Sequence, residues 1–223
     1  MNVLEIDSVV HSYNRKKVLT DVFLKCTTGE IIGILGKNGS GKSTLINIIF
    51  GFLKADSFSM HINGEYIDDT HRDARIVCLP QESFLPHDIT VKRCINLFLN
   101  PGQNRDILLE DERIHLFLDQ QTGWLSSGER RYLEVQLILN LQSDFVLLDE
   151  PFTELEPIYR EKVKASIQIQ LKNKCFIITD QNYRNITDIS TRLFLLSGGG
   201  LEEIADSSEL LTRGYLPHSV AEF

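Results

Sequence analysis

Short unbroken apolar runs alternate along this chain with longer stretches in which apolar residues recur at three- and four-residue spacing. The first pattern marks strands buried on both faces and the second marks amphipathic helices, so their interleaving predicts an α/β fold. "EIIGILG" (30–36) predicts a buried strand running into a glycine turn, with a helix following over "KSTLINIIFGFL" (42–53). "ARIVCLP" (74–80), "DFVLLDEP" (144–151), "KCFIITD" (174–180) and "RLFLLSG" (192–198) predict further core strands, each stopped by a polar residue, glycine or proline. Open α/β sheets gather their ligands at the C-terminal ends of such strands.

Two earlier stretches, "NVLEIDSVVHSY" (2–13) and "KVLTDVFLKCTTGE" (17–30), have the β-branched and aromatic content of an antiparallel hairpin, which makes the sheet mixed. From about 86 to 123 the pattern turns helical, in "HDITVKRCINLFLN" (87–100) and "ILLEDERIHLFLDQQ" (107–121), with the loop "PGQNR" (101–105) between them. Together with the helical pattern that follows, this predicts a small helical subdomain, residues 86–139, inserted in an α/β core built from 1–85 and 140–206. A tail over 207–223 offers one short helix, "SSELLTRG".

Composition narrows the picture. A length of 223 residues supports one large core, and a formal charge of −8 disfavours a broad phosphate-binding surface, so no nucleic-acid partner is expected. The densest basic run, "NRKK" (14–17), reads as a solvated hairpin tip. Cys26, Cys78, Cys94 and Cys175 lie far apart without a CxxC pair, as packing thiols of a reducing compartment do. The histidines lack metal-ligand spacing. Neither a basic-then-apolar leader nor an apolar run near the roughly 18 residues of a membrane span is present, so the expected setting is cytoplasmic.

"GKNGSGKST" (36–44) carries the chemistry. It matches GxxxxGK[ST] between a predicted strand and a predicted helix, the setting of a phosphate-binding P-loop. Gly36, Gly39 and Gly41 free the backbone of Lys37, Asn38, Ser40 and Thr44 to turn N–H groups toward phosphate oxygens at a helix N-terminus. Lys42 supplies a positive charge, and the Ser43 hydroxyl a ligand for Mg²⁺. "FVLLDE" (145–150) delivers two acids from a buried strand: Asp149 for Mg²⁺, and Glu150 to orient or deprotonate an attacking water.

"LSSGERR" (125–131), ahead of a helical pattern and the DE strand, resembles the signature of the ATP-binding cassette family, LSGGQ or LSGGE. The other family elements fall in order from about residue 3 to 206. Tyr13 in "SYNRKKVL" matches the aromatic residue that stacks on adenine, Gln81 in "LPQES" the Q-loop that reaches the metal, and "TELE" (153–156) the D-loop. The resemblance implies a P-loop NTPase of the cassette type, with ATP and Mg²⁺ bound between the P-loop of one chain and Ser126, Ser127, Gly128 and Glu129 of a second. That second subunit is the same chain or a relative. It also implies transmembrane permease subunits in separate chains, with this chain peripheral on the inner face of the cell membrane. Phe84 and Leu85 are the apolar contacts expected to receive them. Trp124, beside the signature, is expected to pack in the core or the lobe.

Three positions depart from the family pattern. Gln181 stands where a switch histidine is usual, Glu156 where the D-loop has Asp, and Ser127 in place of the first signature glycine. Glutamine can donate a hydrogen bond to a phosphate but brings no positive charge. With Lys42, Ser43, Asp149 and Glu150 intact, the expectation is a slow ATPase in which Gln181 limits the rate, and a non-catalytic ATP-gated module is the alternative. "LLDEPF" and "ITDQNYRN" most resemble the lipopolysaccharide-export ATPase subgroup, which carries histidine at the position of Gln181.

Overall fold

The computed structural model describes residues 1–101, 104–205, 209–212 and 215. Its larger sheet is built from the apolar runs: β3 (Ile31–Leu35), β6 (Ile76–Leu79), β7 (Phe145–Asp149), β8 (Cys175–Thr179) and β9 (Arg192–Ser197), with β10 (Gly200–Ile204) at one edge. The order is β10-β9-β3-β8-β7-β6, parallel except for the β9–β10 pair. Because β3, β7 and β8 are fully buried, alternate residues feed different cores. Phe145, Leu147 and Ile177 join the apolar cluster on one face, and Val146, Leu148 and Ile178 the cluster on the other.

The hairpin is present as β1 (Val3–Tyr13) and β2 (Lys16–Thr27), but it does not join the parallel strands. It belongs to a separate antiparallel sheet, ordered β2-β1-β4-β5, with β4 (Ser57–Ile62) and β5 (Glu65–Tyr66). The mixed character of the larger sheet comes instead from β10. At the hairpin tip Asn14 and Arg15 both have positive φ, 48° and 67°, as a tight turn between twisted strands demands. Arg15, Lys16 and Lys17 are exposed there.

Helix α1 (Lys42–Phe50) follows β3 and ends at Gly51, whose φ of 87° provides a left-handed cap. Between β6 and β7 lie α2 (Val91–Phe98), α3 (Arg105–Leu109), two short 3₁₀ turns and α4 (Ser127–Asn140). The second helical pattern, over 107–121, is not one helix. It breaks after α3, where Asp111 Oδ1 accepts from the N–H groups of Arg113 and Ile114 and starts a 3₁₀ turn, Ile114–Phe117. Leu108, Ile114 and Phe117 still reach the same core as Leu133, Leu137 and Val146, so one apolar cluster runs from this region under α4 to the sheet. After β7 come α5 (Pro157–Gln170) and α6 (Tyr183–Thr187), the latter seated on Gly33, where a side chain would strike Ile186 and Ser190. Of the expected tail helix only α7, Glu209–Thr212, is described; most of 207–223 lies outside the described residues. No helix among the described residues is long and apolar enough to cross a membrane.

All four cysteines are free and buried, in keeping with packing. Burial pushes the Cys94 thiol up to about 11 and the Cys78 thiol to about 12, which keeps both protonated and unreactive. Two surface expectations are corrected. Leu85 is 4% exposed and belongs to the apolar cluster that holds Val91, Cys94 and Ile95 of α2, and Phe84 is half-buried against the Phe98 ring. Trp124, expected to be packed, is 75% exposed, because Leu125 takes the buried place in that turn.

Candidate functional site

The strand order places the C-terminal ends of β3, β8 and β7 side by side, with Ile34 registered on Thr179 and Thr179 on Asp149. Three loops that are distant in sequence therefore open on one edge: Gly36–Thr44, Asp149–Glu150 and Asp180–Gln181. A cleft there is lined by Tyr13, Val18, Asn38, Gly39, Gly41, Lys42, Ser43, Thr44, Gln81, Glu150 and Gln181. Ten of the residues singled out in the sequence are thus brought to one place.

Gly41 begins α1 with φ 106°, and a Cβ there would come within 2.9 Å of Val18. Gly39, φ 76°, has open space where its Cβ would be, so its backbone faces the cleft bare. Lys42 Nζ donates to the carbonyl of Gly36 at 2.7 Å and lies 3.5 Å from that of Lys37, folding its charge back into the loop. Burial lowers the pKa of this amine, while the carboxylates of Glu150, Asp149 and Asp180 act in the opposite direction. The Ser40 hydroxyl is buried without a partner, and Ser40 closes on Gly36, where any side chain would collide with it. A bare-backbone loop, an inward cation and an unsatisfied hydroxyl at a helix N-terminus fit the phosphates of a nucleotide. Lys37 and Ser40, with Asn38 and Gly39, also line a pocket on the far side of the loop with Leu195–Gly198 and Tyr215.

The acids are held by specific donors. Asp149 is 2% exposed, and its Oδ1 accepts from the Thr179 hydroxyl at 2.5 Å. Glu150 sits on left-handed backbone, φ 50°, a conformation that costs a non-glycine residue about 1–3 kcal/mol and is common at functional sites. Its N–H donates to the Thr179 carbonyl at 3.0 Å. Its Oε1 accepts from Gln181 Nε2 at 2.8 Å and its Oε2 from the Thr153 hydroxyl at 3.4 Å, so the carboxylate is aimed from two sides. Asp180 behind it has its pKa raised by burial, opposed by hydrogen bonds from the Asn182 N–H and the Asn185 amide.

The signature residues lie elsewhere. Ser126 caps α4 in a reciprocal box: Glu129 N–H donates to Ser126 Oγ at 3.3 Å, while Ser126 N–H and Oγ donate to Glu129 Oε2 at 2.9 and 2.7 Å. The serine hydroxyl and the Glu129 carboxylate are thus turned on each other. Ser127 opens α4 without positive φ, so its side chain brings no backbone strain. It lines a neighbouring pocket with Gln81, Glu150 and Glu154, whereas Ser126, Gly128 and Glu129 line neither cavity. Gly128 passes so close to Glu154 that a Cβ would come within 3.0 Å of its carbonyl. Glu156 is exposed and precedes Pro157 at the start of α5 without a side-chain capping bond.

One residue that sequence reasoning passed over holds these parts together. Arg131 is 6% exposed and donates to the carbonyls of Pro80 (2.9 Å), Asp149 (2.6 Å) and Glu150 (3.1 Å), with Glu134 beside it at 3.3 Å. The segment before Gln81, the acidic strand end and the helix after the signature meet on one guanidinium. The available signal was a basic residue set inside the apolar pattern "RRYLEVQLIL".

The comparisons with known proteins agree with this geometry. The family model for ABC transporter matches residues 19–153. The lipopolysaccharide export system ATP-binding protein LptB of Haemophilus influenzae is 34% identical, with 97% of this chain and 98% of that one covered. LptB of Escherichia coli K12 is 30% identical over 95% and 93%, and a probable ABC transporter ATP-binding protein of Azorhizobium caulinodans 33% identical over 84% and 72%. Among solved structures, the ATP binding subunit of an ABC transporter superposes with a TM-score of 0.83 at 20% identity, covering 96% of this chain and 94% of that one, and so speaks for the fold. Loop, acids and relatives converge: the chain belongs to the ABC transporter family, as an ATP-binding module of a kind that powers transport.

Proposed function

We propose that this chain hydrolyses ATP slowly to drive a membrane transporter, closing on a second subunit around the nucleotide and parting from it after cleavage. The observation that carries this reading is the convergence of Lys42, Glu150 and Gln181 on one cleft whose lining leaves out Ser126, Gly128 and Glu129. A donor cluster at the start of a helix, outside the lining of its own P-loop cleft, suits the γ-phosphate of a nucleotide held by another copy. Tyr13, half-exposed at the cleft mouth, would stack on the base. The P-loop amides and Lys42 would hold the phosphates, and Glu150 would orient the attacking water.

Ser43, Gln81 and Asp149 would hold Mg²⁺, which would supply positive charge against the negative charge of the phosphates. Gln181, by holding Glu150 Oε1, would set the direction of that carboxylate. On the signature side, Ser126 would have to release Glu129 before its hydroxyl could donate to a phosphate. The match to lipopolysaccharide-export ATPases along nearly their whole length supports separate transmembrane partner chains and a place on the inner membrane face.

A second reading is favoured by two observations. Gln181 cannot carry charge, and the Ser126 hydroxyl is already engaged. Under it, ATP binding gates an assembly without turnover. Phosphate release by the purified chain, alone and with Glu150→Gln, separates the two. Turnover that drops by about 10²-fold or more in the variant, with nucleotide still bound, is expected for a general base. Stable pairing with no phosphate released by the unaltered chain would overturn hydrolysis in favour of the gate.

A further inference from the structure

We propose that Tyr215 is a positioning residue: its hydroxyl bridges Gly36, the first residue of the P-loop, to the carbonyl of Gln181, so that the C-terminal tail sets the spacing between the P-loop and the loop that aims Glu150. The inference rests on the hydrolysis proposed above.

The tail reaches this place through packing. After β10 the Ala205 N–H donates to Glu209 Oε1 at 3.0 Å, where α7 begins, and Leu210 is fully buried in the cluster that also holds Ile186, Ile189 and Leu195. The Tyr215 N–H donates to the Leu210 carbonyl at 2.8 Å, and its ring packs against the same cluster. A ring held at its backbone and along its face has little freedom left, so the direction of its hydroxyl is set.

That hydroxyl arrives between two loops of the nucleotide site. It donates to the Gln181 carbonyl at 3.4 Å, and the Gly36 N–H is hydrogen-bonded to its oxygen. A hydroxyl suits the place because it accepts and donates at once. Burial raises the pKa of the phenol, the Gly36 N–H works against that rise, and the Asp180 carboxylate adds to it, so the proton that Gln181 accepts is retained. Gly36 is held at its other end too, since its carbonyl accepts from Lys42 Nζ, while the Gln181 amide holds Glu150 Oε1. One phenol thus joins the loop that carries the cation to the residue that aims the carboxylate. The ring lines a pocket with Lys37–Ser40 and Leu195–Gly198, and Asn38 and Gly39 line that pocket and the nucleotide cleft alike. Tyr215 does not line the cleft itself, so it acts through Gly36 and Gln181 and not on the nucleotide.

Tyr215→Phe removes the hydroxyl and keeps the ring, so the unfolding midpoint should stay that of the unaltered chain. Amide hydrogen exchange in the segments holding Gly36 and Gln181, recorded without nucleotide, should quicken about threefold or more, because the Gly36 N–H loses the phenol oxygen. In ATP turnover kcat should fall about 3- to 10-fold, the loss expected for one net hydrogen bond, with KM little changed. In a Gln181→Ala background the same substitution should cost less than about twofold, because the side chain it positions is gone. Unchanged exchange overturns the bridge, whatever turnover does. Faster exchange with equal kcat, or an equal loss of kcat with and without Gln181, overturns the positioning role while leaving hydrolysis intact. If the unaltered chain releases no phosphate, hydrolysis falls and the positioning role with it, and exchange still decides the bridge.

Discussion

Gln181 places its amide nitrogen 2.8 Å from Glu150 Oε1, so at the residue scale it aims that carboxylate and brings no charge of its own. A histidine there could donate the same hydrogen bond from one nitrogen and, when protonated, bring a positive charge toward the phosphates. A charge-assisted hydrogen bond gained in the transition state contributes roughly 1.5–3 kcal/mol, or about 10- to 100-fold in rate. Gln181→His should therefore raise kcat within that range, with ATP affinity little changed. Steady-state turnover of the two proteins decides it, and an equal or lower rate for the variant would show that Gln181 is not limiting. The positions of Lys42, Ser43, Asp149 and Glu150 were legible because their motifs fix residue type and spacing together. Arg131 was not, because its contacts reach back to Pro80 and forward to Asp149 and Glu150, and no local pattern encodes a triple contact of that kind.

At the scale of elements, Lys174 closes the C-terminal end of α4. It is 8% exposed, and its amine donates to the carbonyls of Leu139 and, at 2.7 Å, Leu141, two groups a helix end would otherwise leave unpaired. Burial brings its pKa down to about 8 from 10.5. Between those two values the unfolded chain holds a proton that the folded chain has released, so raising the pH through that window favours the fold. The unfolding free energy of the unaltered chain relative to Lys174→Met should accordingly grow from pH 8 toward pH 10 in denaturant titrations. A difference independent of pH would refute the assignment. Elements were read well from sequence where one environment governs a whole run: β3, β7 and β8 are apolar throughout because both faces are covered. The pattern failed at 107–121, where Asp111 draws two backbone N–H groups to its side chain and ends a helix that the apolar spacing alone would continue. It also missed β4, β5 and β10, whose polar residues face outward and whose pairing depends on distant strands.

At the scale of the whole molecule, an α/β fold with an antiparallel part was foreseen, but the assignment of strands to sheets was not, since pairing is decided by packing between segments tens of residues apart. The same limit applies to surfaces. Phe84 and Leu85 look equivalent in the sequence, yet Leu85 is sealed in the cluster that runs from α2 to β7, whereas Phe84 lies half-open against Phe98, one residue beyond the Ser83 hydroxyl that donates to Glu134. Glu134 in turn lies beside Arg131, so the surface around Phe84 is joined by polar contacts to the strand end that carries Glu150. A permease segment pressing on Phe84 would thus press on the edge that carries Glu150, which suits the proposed transporter, whose chemistry would answer to its membrane partner. Phe84→Asp should leave a folded chain that binds ATP but no longer co-purifies with membrane subunits from detergent extracts. Leu85→Asp, which buries an unpaired carboxylate, should instead lower the unfolding midpoint sharply. Retention of the membrane subunits by Phe84→Asp at normal stoichiometry would move the docking surface elsewhere, and a folded, stable Leu85→Asp would contradict the buried position of that leucine.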